Sequence, residues 1–433
     1  MPICLEKFVD GHWQPAATVE ILNPHLGLRS NCRVEYLPDF ALKYLGKKGS
    51  PALSCHFPVS FEHRNYDQWA PFLLDILPSG FGRDLLVQDM GWLPDGLTND
   101  VNVLLHGASN PAGNVRVAQA YEWLRSKLPQ QADGWSTDVI QRRNADFIEY
   151  AHLHGTLVAG TSTQGQAAKL WMTQKDDGLY YADSLVADQE ANAVYLVKLP
   201  RNDNDANLLR YEYHWLQLAK LAQLNVYGSP ELSDGGLLFI PRFDKVISTA
   251  GVDRRRAMES VFSLMEVTVP GQILRHEDII LTWMQFADQT RFGGDLVEYL
   301  QRDILSYCLR VEDNHGRNTA FFLTEDGLEL APLFDFSPMF LAEDPPVRST
   351  TWRSFSIGQH AEWPNLFDAN GFFTNLLGPS AQLLAAELVA WRPILAMVKE
   401  KFCHLANSPT FTALIYRFDT ALEALNALSQ KNT

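Results

Sequence analysis

Short apolar runs separated by turn residues dominate residues 1 to about 125, as in Leu53-Ser54-Cys55-His56-Phe57-Pro58-Val59, and predict a mixed, β-rich region. A helix is expected near Trp69, carrying Phe72, Leu73, Leu74 and Ile76 and ending at Leu77-Pro78-Ser79-Gly80. The run Val101 to Leu105 leads to Gly107, and Pro111-Ala112-Gly113-Asn114 predicts a turn before Val115-Arg116-Val117. Polar residues from about 126 to 145 predict a connection. In Ala193-Val194-Tyr195-Leu196-Val197 both alternating faces are apolar, which predicts a strand buried on two sides and ending at Lys198. Leu208, Tyr211, Trp215, Leu218, Ala219 and Ala222 recur at helical spacing and predict a helix from about Asn207 to Leu224. Phe239-Ile240 then reads as a strand entering Arg242-Phe243-Asp244. Beyond about 255 the pattern turns helical, with segments at Asp278 to Ala287, Leu296 to Leu309, Ser380 to Ala390 and Pro409 to Leu428. The runs Ala320 to Leu323 and Met339 to Leu341 read as buried strands or core anchors that present polar loops. No internal repeat appears. The expected fold class is α+β, a β-rich part followed by a larger helical one.

Composition narrows this picture. With 433 residues, two or three domains are expected, and an apolar fraction of 46% with 11% aromatics supports large cores. The formal net charge of −15 and a pI near 5.2 argue against global attraction to DNA or anionic membrane, with Arg254-Arg255-Arg256 the one candidate local patch. Five scattered cysteines without a CxxC spacing argue against a disulfide framework and a structural zinc site. Histidines His152 and His154, and the Cys-His neighbours at 55–56 and 403–404, match no metal spacing either. Glu6, Lys7 and Asp10 interrupt any signal-like stretch, and no uninterrupted apolar run reaches bilayer length. A reduced, soluble, cytoplasmic protein without membrane contact is the expectation.

The chemistry concentrates in two loops. Asp313 and Asn318 lie five residues apart in Val311-Glu312-Asp313-Asn314-His315-Gly316-Arg317-Asn318, and Asp335 follows in Leu333-Phe334-Asp335-Phe336-Ser337. Phosphoryl transfer uses these parts in this order: a carboxylate to accept the incoming hydroxyl proton, an amide oxygen on Mg²⁺, and a second carboxylate to complete the metal cage. Each loop alone is also an ordinary turn or cap; the ordered combination points to a kinase that uses ATP and Mg²⁺. His315 is placed to orient Asp313 or a phosphate oxygen. Lys198, delivered by an apolar strand, suits the ATP phosphates, and Glu212 on the following helix suits a partner for it. Ahead of them, Gly160-Thr161-Ser162-Thr163-Gln164-Gly165-Gln166-Ala167-Ala168-Lys169 offers small residues and hydroxyls that let backbone N–H groups approach phosphate. Ser162, Thr163, Gly165 and Lys169 are its candidate nucleotide-binding residues. The loop matches neither the dinucleotide GxGxxG nor the Walker pattern, and no GxSxG elbow supports hydrolysis.

With these residues in place, the chain resembles the HipA family of serine/threonine kinase toxins over nearly its whole length. Leu53-Ser54-Cys55-His56-Phe57-Pro58 is similar to the family's "LSxxxP" segment, and Asp75-Ile76-Leu77-Pro78-Ser79-Gly80, with Arg83 following, to its "LLPxG" segment. Pro111-Ala112-Gly113 resembles its "PGA" turn, and Arg242-Phe243-Asp244 its "RFDR", with Lys245 in the last place. The Asp313-x-His315-x-x-Asn318 loop and Asp335-Phe336 are similar to its catalytic and metal motifs. The resemblance implies a bilobal, protein-kinase-like fold: residues 1–125 a HipA N-terminal-like subdomain, 126–250 the rest of the small lobe, and 251–433 a helical lobe. It implies Asp313 as base, Asn318 and Asp335 as magnesium ligands, Lys198 as the ATP-phosphate lysine, and Ser162 as the counterpart of a serine that can be autophosphorylated. It further implies a protein substrate with a Ser or Thr hydroxyl, such as a translation component. A small helix-turn-helix antitoxin would be the partner through which DNA is reached.

Two rival readings accompany this one. A small-molecule or lipid kinase uses the same Asp-x-His-x-x-Asn loop, although the acidic charge and the lack of a basic membrane-facing stretch weigh against lipid. A catalytically weak kinase fold that acts by binding, with an antitoxin, is the other.

Overall fold

The computed structural model describes residues 2–94, 96, 99–127, 133–142, 168–200, 202–248, 251–269, 271–356, 361–405 and 409–431. The chain divides into two compact units. One comprises 1–210, 227–270 and 320–331; the other 211–226, 271–319 and 332–433. The α and β content is mixed throughout the first unit and mainly helical in the second.

In the first unit a five-stranded antiparallel sheet runs in the order Arg64–Tyr66, Cys32–Tyr36, His12–Ile21, Ile3–Val9, Val115–Val117. Alternation along its strands sends Ile3, Leu5, Ala17, Val19 and Val34 into one core. Helices Pro38–Tyr44, Phe72–Ile76, Gly80–Asp89, Asn99–Gly107 and Ala118–Lys127 supply Phe40, Leu73, Leu74, Val87, Leu104 and Ala120 to it. The helix expected near Trp69 is Phe72–Ile76. The run Leu53 to Val59, which reads as β-like, is a turn stabilised by a single bridge between Ser54 and Phe57, because Pro51 and Pro58 and the tight turn leave no room for a ladder.

A second five-stranded sheet has the order Tyr180–Ala182, Ala168–Gln174, Ala193–Leu199, Leu238–Pro241, Glu231–Leu232. Its core face gathers Leu170, Met172, Val197, Leu199 and Phe239. The strand Ala193–Leu199 is where its sequence places it, with Val194, Val197 and Lys198 buried but Tyr195 and Leu196 only half-buried. Met258–Ser260, Ala320–Leu323 and Leu328–Leu330 form a third, three-stranded sheet in which all of Ala320–Leu323 is buried.

The segments that carry the family resemblance meet in buried polar clusters of this unit. Glu259 accepts from Ser54 Oγ at 2.6 Å, from the Cys55 N–H at 2.8 Å and from Ser263 Oγ at 2.8 Å. Asp75 accepts from the Ser260 N–H at 2.9 Å and from its hydroxyl at 2.6 Å. Arg242 grips Asp244 and reaches Asp183 at 3.2 Å, while Lys245 Nζ lies 2.7 Å from both Asp183 oxygens. The Gly113 N–H donates to Asp244 at 2.9 Å. These motif residues therefore hold the unit together across sequence separations of 59 to 205 residues, and Arg83 pairs locally with Asp100 at 2.8 Å.

Lys7 is buried in the same region, with Nζ donating to the Ala52 carbonyl at 2.5 Å. Burial lowers its ammonium from the ordinary 10.5 to about 7, against the opposing pull of Glu259. Between these two values the unfolded chain binds more protons than the folded one, so this group adds stability as pH rises from 7 toward 10. Lys7→Met is expected to flatten that rise. Urea unfolding of both proteins at pH 7 and 9.5 checks it, and an identical pH slope would exclude Lys7 as the source.

The second unit is built on helices His276–Phe286, Phe292–Cys308, Phe372–Leu377, Ser380–Leu405 and Pro409–Lys431, with the C-terminal part of Asp203–Leu221. Each of the helices expected beyond 255 is present with moved ends; Ser380–Leu405 runs well past Ala390. Trp215, Phe402, Phe411 and Phe418 pack edge-on or tilted at its centre. Trp215 Nε1 donates to the Leu309 carbonyl at 3.1 Å and Trp391 Nε1 to that of Ala222 at 2.7 Å. Among the described residues, Ser380–Leu405 alone is long and apolar enough to cross a membrane. Glu387, Arg392 and Lys399 interrupt it, and its buried Leu384, Leu388, Trp391, Leu395, Val398 and Phe402 recur at three- and four-residue spacing as one core-facing stripe.

Candidate functional site

The Asp-x-His-x-x-Asn loop leaves the helix Phe292–Cys308 through a tight C-terminal closure. Arg310 takes a left-handed backbone, φ +54°, while the Arg310 N–H donates to the Tyr307 carbonyl at 3.3 Å and the Val311 N–H to that of Ser306 at 2.8 Å. This is the Schellman arrangement, with arginine where glycine is usual. The helix is anchored by buried Leu296, Leu300, Ile304, Leu305 and Cys308, so the loop starts from a rigid support.

Within the loop three of the expected residues are brought together. His315 Nδ1 accepts from the Arg317 N–H at 3.2 Å, which puts the ring proton on Nε2, and Nε2 lies 3.5 Å from Asp313 Oδ1. Both side chains are mostly covered, with 11% exposure for Asp313 and 17% for His315. The Asn318 N–H donates to the His315 carbonyl at 2.9 Å, and Asn318 Nδ2 donates to the Asp313 carbonyl at 2.7 Å. That second bond fixes which end of the amide faces away. The Asn318 Oδ1 is buried and has no hydrogen-bond partner among the described residues. A buried acceptor left so costs about 1–3 kcal/mol, which a cation or its water would offset.

Asp335 sits in the same unit on the segment after Leu330. Its φ of +51° is left-handed, a conformation that costs a non-glycine residue roughly 1–2 kcal/mol. The strain is held by neighbours on both sides: the Leu333 N–H donates to the Asn225 carbonyl at 2.7 Å, and Phe336 and Ser337 are buried. The run Met339–Leu341, expected as a strand or core anchor, is a half-buried 3₁₀ turn, because Pro338 ends the extended stretch and no neighbouring strand among the described residues pairs with it.

In the first unit, Lys198 is 3% exposed and stands directly opposite Lys169 in the antiparallel register of Ala193–Leu199 with Ala168–Gln174. Opposed residues share a face of the sheet, and here that face is the one turned away from the Leu170, Met172, Val197 core. Ser162, Thr163 and Gly165 fall outside the described residues, as do 128–132 and 143–145 of the expected connection. Glu212 is buried on Asp203–Leu221, in the second unit.

Sequence reasoning overlooked Asp303, His276 and the partners of Asn314. Asp303 accepts from Arg348, from Trp352 Nε1 at 2.8 Å and from Trp363 Nε1 at 2.9 Å, with His276 Nε2 3.5 Å away. Burial pulls His276 down to about 4 despite Asp303, so its ring is neutral near pH 7. A lone aspartate on an amphipathic helix gives no sequence signal of such a network.

The chain is thus a mixed α/β protein that presents a carboxylate, a histidine and an uncommitted amide oxygen on one rigid loop. The HipA-like C-terminal domain profile matches residues 161–391, more than half of the chain, and the protein belongs to that family. Its fold is that of a solved HipA from Shewanella oneidensis MR-1, described as a toxin–antitoxin system of HipA, HipB and operator DNA. The two share 16% identity with a TM-score of 0.64, over 99% of this chain and 97% of that one. The proinflammatory kinase CtkA of Helicobacter pylori matches 62% of this chain and 92% of its own, at 12% identity and a TM-score of 0.34, too low to carry an argument. No curated protein matches.

Proposed function

We propose that the protein is a kinase toxin that transfers the γ-phosphoryl of ATP, with Mg²⁺, to a Ser or Thr hydroxyl of a protein. The observation that carries this reading is the buried, unpartnered Asn318 Oδ1 beside an Asp313 steadied by His315. Asp313 would accept the hydroxyl proton, and the Nε2–H of His315 would hold its carboxylate in the orientation that a base needs. Asn318 and Asp335 would ligate Mg²⁺ with one neutral and one charged oxygen, the hard donors that ion prefers. When bound, the metal supplies charge neutralisation to the phosphates. Lys198 and Lys169 would neutralise phosphate oxygens, which suits two lysines at one register position. The family points to a translation component as substrate and to a small helix-turn-helix antitoxin as the route to operator DNA.

Incubating the protein with γ-labelled ATP, Mg²⁺ and a cell lysate tests this. Label is expected in a lysate protein or in the chain itself. EDTA should abolish it, and Asp335→Asn should lower it by about 100-fold through loss of the charged metal ligand. Label that appears equally with and without a divalent cation would overturn the Mg²⁺ roles. Label that never leaves ATP would overturn the kinase.

A further inference from the structure

Asn314 stands between Asp313 and His315, and phosphoryl transfer by itself asks nothing of it. Its side chain nevertheless makes three hydrogen bonds. Oδ1 accepts from the Ser349 N–H at 2.9 Å and the Thr350 N–H at 3.1 Å, while Nδ2 donates to the Thr350 carbonyl at 2.7 Å. Thr350 Oγ1 returns a bond to the Asn314 carbonyl at 2.7 Å. An amide that both accepts from and donates to the backbone of one residue imitates a neighbouring strand. Asn314 thereby joins the edge of the short pair Thr350–Thr351 with Leu274–Arg275.

That edge is itself fixed. The Leu274 N–H donates to the Ser349 carbonyl at 2.9 Å, and Arg275 reaches Thr351 Oγ1. On either side of Thr350, Arg348 and Trp352 end on Asp303, which is buried on the helix Phe292–Cys308. The loop is therefore attached to one helix twice: along the chain through Val311, and across space through Asn314, Thr350 and Asp303. The peptide after Asp313 is held by the Asn314 clamp, and the Asp313 carbonyl by Asn318 Nδ2.

We propose that Asn314 is the positioning residue that sets where the Asp313 carboxylate points, by clamping the loop to Thr350. The proposal rests on the kinase reading for the consequence, and on the hydrogen bonds alone for the clamp. Asparagine is chosen by chemistry. Aspartate lacks the donor for the Thr350 carbonyl and adds a charge beside Asp313, alanine removes all three bonds, and glutamine is one methylene too long for both contacts.

The test uses the full chain. Steady-state transfer from ATP·Mg²⁺ and backbone hydrogen exchange over 313–318 are measured for wild type, Asn314→Ala, Thr350→Val and Thr350→Ser. Asn314→Ala is expected to lower kcat about 100-fold, the cost of displacing a reacting group by about 1 Å, with KM for ATP changed less than about twofold. Thr350→Val, which deletes one hydroxyl bond, should lower kcat by about 5-fold, and Thr350→Ser should restore it. Exchange over 313–318 should quicken in step. A folded Asn314→Ala with wild-type kcat overturns the inference and leaves the kinase reading standing. So does a loss confined to KM. Should wild type transfer no phosphate, the kinase reading falls and the exchange data decide the clamp: unchanged protection in Asn314→Ala and Thr350→Val overturns it. If Asn314→Ala fails to fold, the Thr350 pair decides instead, and a Thr350→Val protein with wild-type kcat and exchange overturns the clamp.

Discussion

Asp313→Ala is expected to lower phosphate transfer by about 10³-fold while the protein stays folded. A positioned general base contributes about 10²–10⁴ to such a step, and the middle of that range suits a carboxylate with a dedicated orienting group. His315 Nε2 is 3.5 Å from it and Asn318 holds its backbone. The neighbouring carboxylate, Glu312, is engaged by Arg310 Nε at 2.9 Å and does not stand ready to substitute. The fold is expected to survive because Asp313 lies on a loop, keeps 11% exposure and is not among the buried residues of a core. Labelled-ATP transfer, with circular dichroism and thermal unfolding in parallel, checks both halves. Undiminished transfer by the alanine protein would remove Asp313 from the mechanism. Loss of transfer with an equally large loss of thermal stability would instead make it a structural residue.

Asp183→Asn is expected to destabilise the protein by about 3–5 kcal/mol, the usual cost of stranding buried charges by removing their partner. The carboxylate is 2% exposed and faces Lys245 Nζ at 2.7 Å and the Arg242 guanidinium at 3.2 Å; Thr173 and Asn110 also donate to it. Burial alone raises its pKa, but Lys245, Arg242 and Arg255 outweigh this and hold the acid far below the usual carboxylate range. The folded value is therefore depressed relative to the unfolded 3.8. This stabilisation is complete above that pH and is lost as pH falls below it. Urea unfolding at pH 7 should show the full loss in Asp183→Asn, and the gap between the two proteins should narrow from pH 4 downward. A variant as stable as wild type at pH 7 would mean that Arg242 and Lys245 find other partners. Because Lys245 stands where the family motif carries arginine, Lys245→Arg tests shape in the same cluster; the planar guanidinium has to fit where a single Nζ now contacts both oxygens.

Much of the architecture was legible in the order of residues. Helices such as Phe292–Cys308 and Pro409–Lys431 carry their apolar positions at a period of 3.6, and the four residues Ala320–Leu323 are apolar and all buried. The strand Ala193–Leu199 and its terminal lysine were visible for the same reason. Where local pattern misled, a turn competed with it. Leu53 to Val59 has the composition of a strand but lies among prolines, and Met339–Leu341 follows Pro338.

At the candidate site the division is similar. The five-residue step from Asp313 to Asn318 is a loop-length property, so sequence alone places those two and His315 near one another. It says nothing of the Asn318 amide orientation, which depends on the hydrogen bond to the Asp313 carbonyl and leaves Oδ1 buried and unpartnered. Nor does it reveal that Asn314 closes on Thr350, 36 residues on, or that Lys169 and Lys198 share a register position. Nor does it reveal that the resemblance segments meet, with Ser54, Asp75, Gly113 and Arg242 holding buried polar clusters.

By itself, then, the sequence determined the periodic elements, the acidic charge and the spacing of the phosphoryl-transfer residues, because each depends on neighbours a few positions away. Only the tertiary structure decided which polar groups are buried, which are satisfied and which oxygen of the loop is left over. Those outcomes depend on desolvation and on hydrogen-bond partners supplied from distant segments, and no local pattern encodes them.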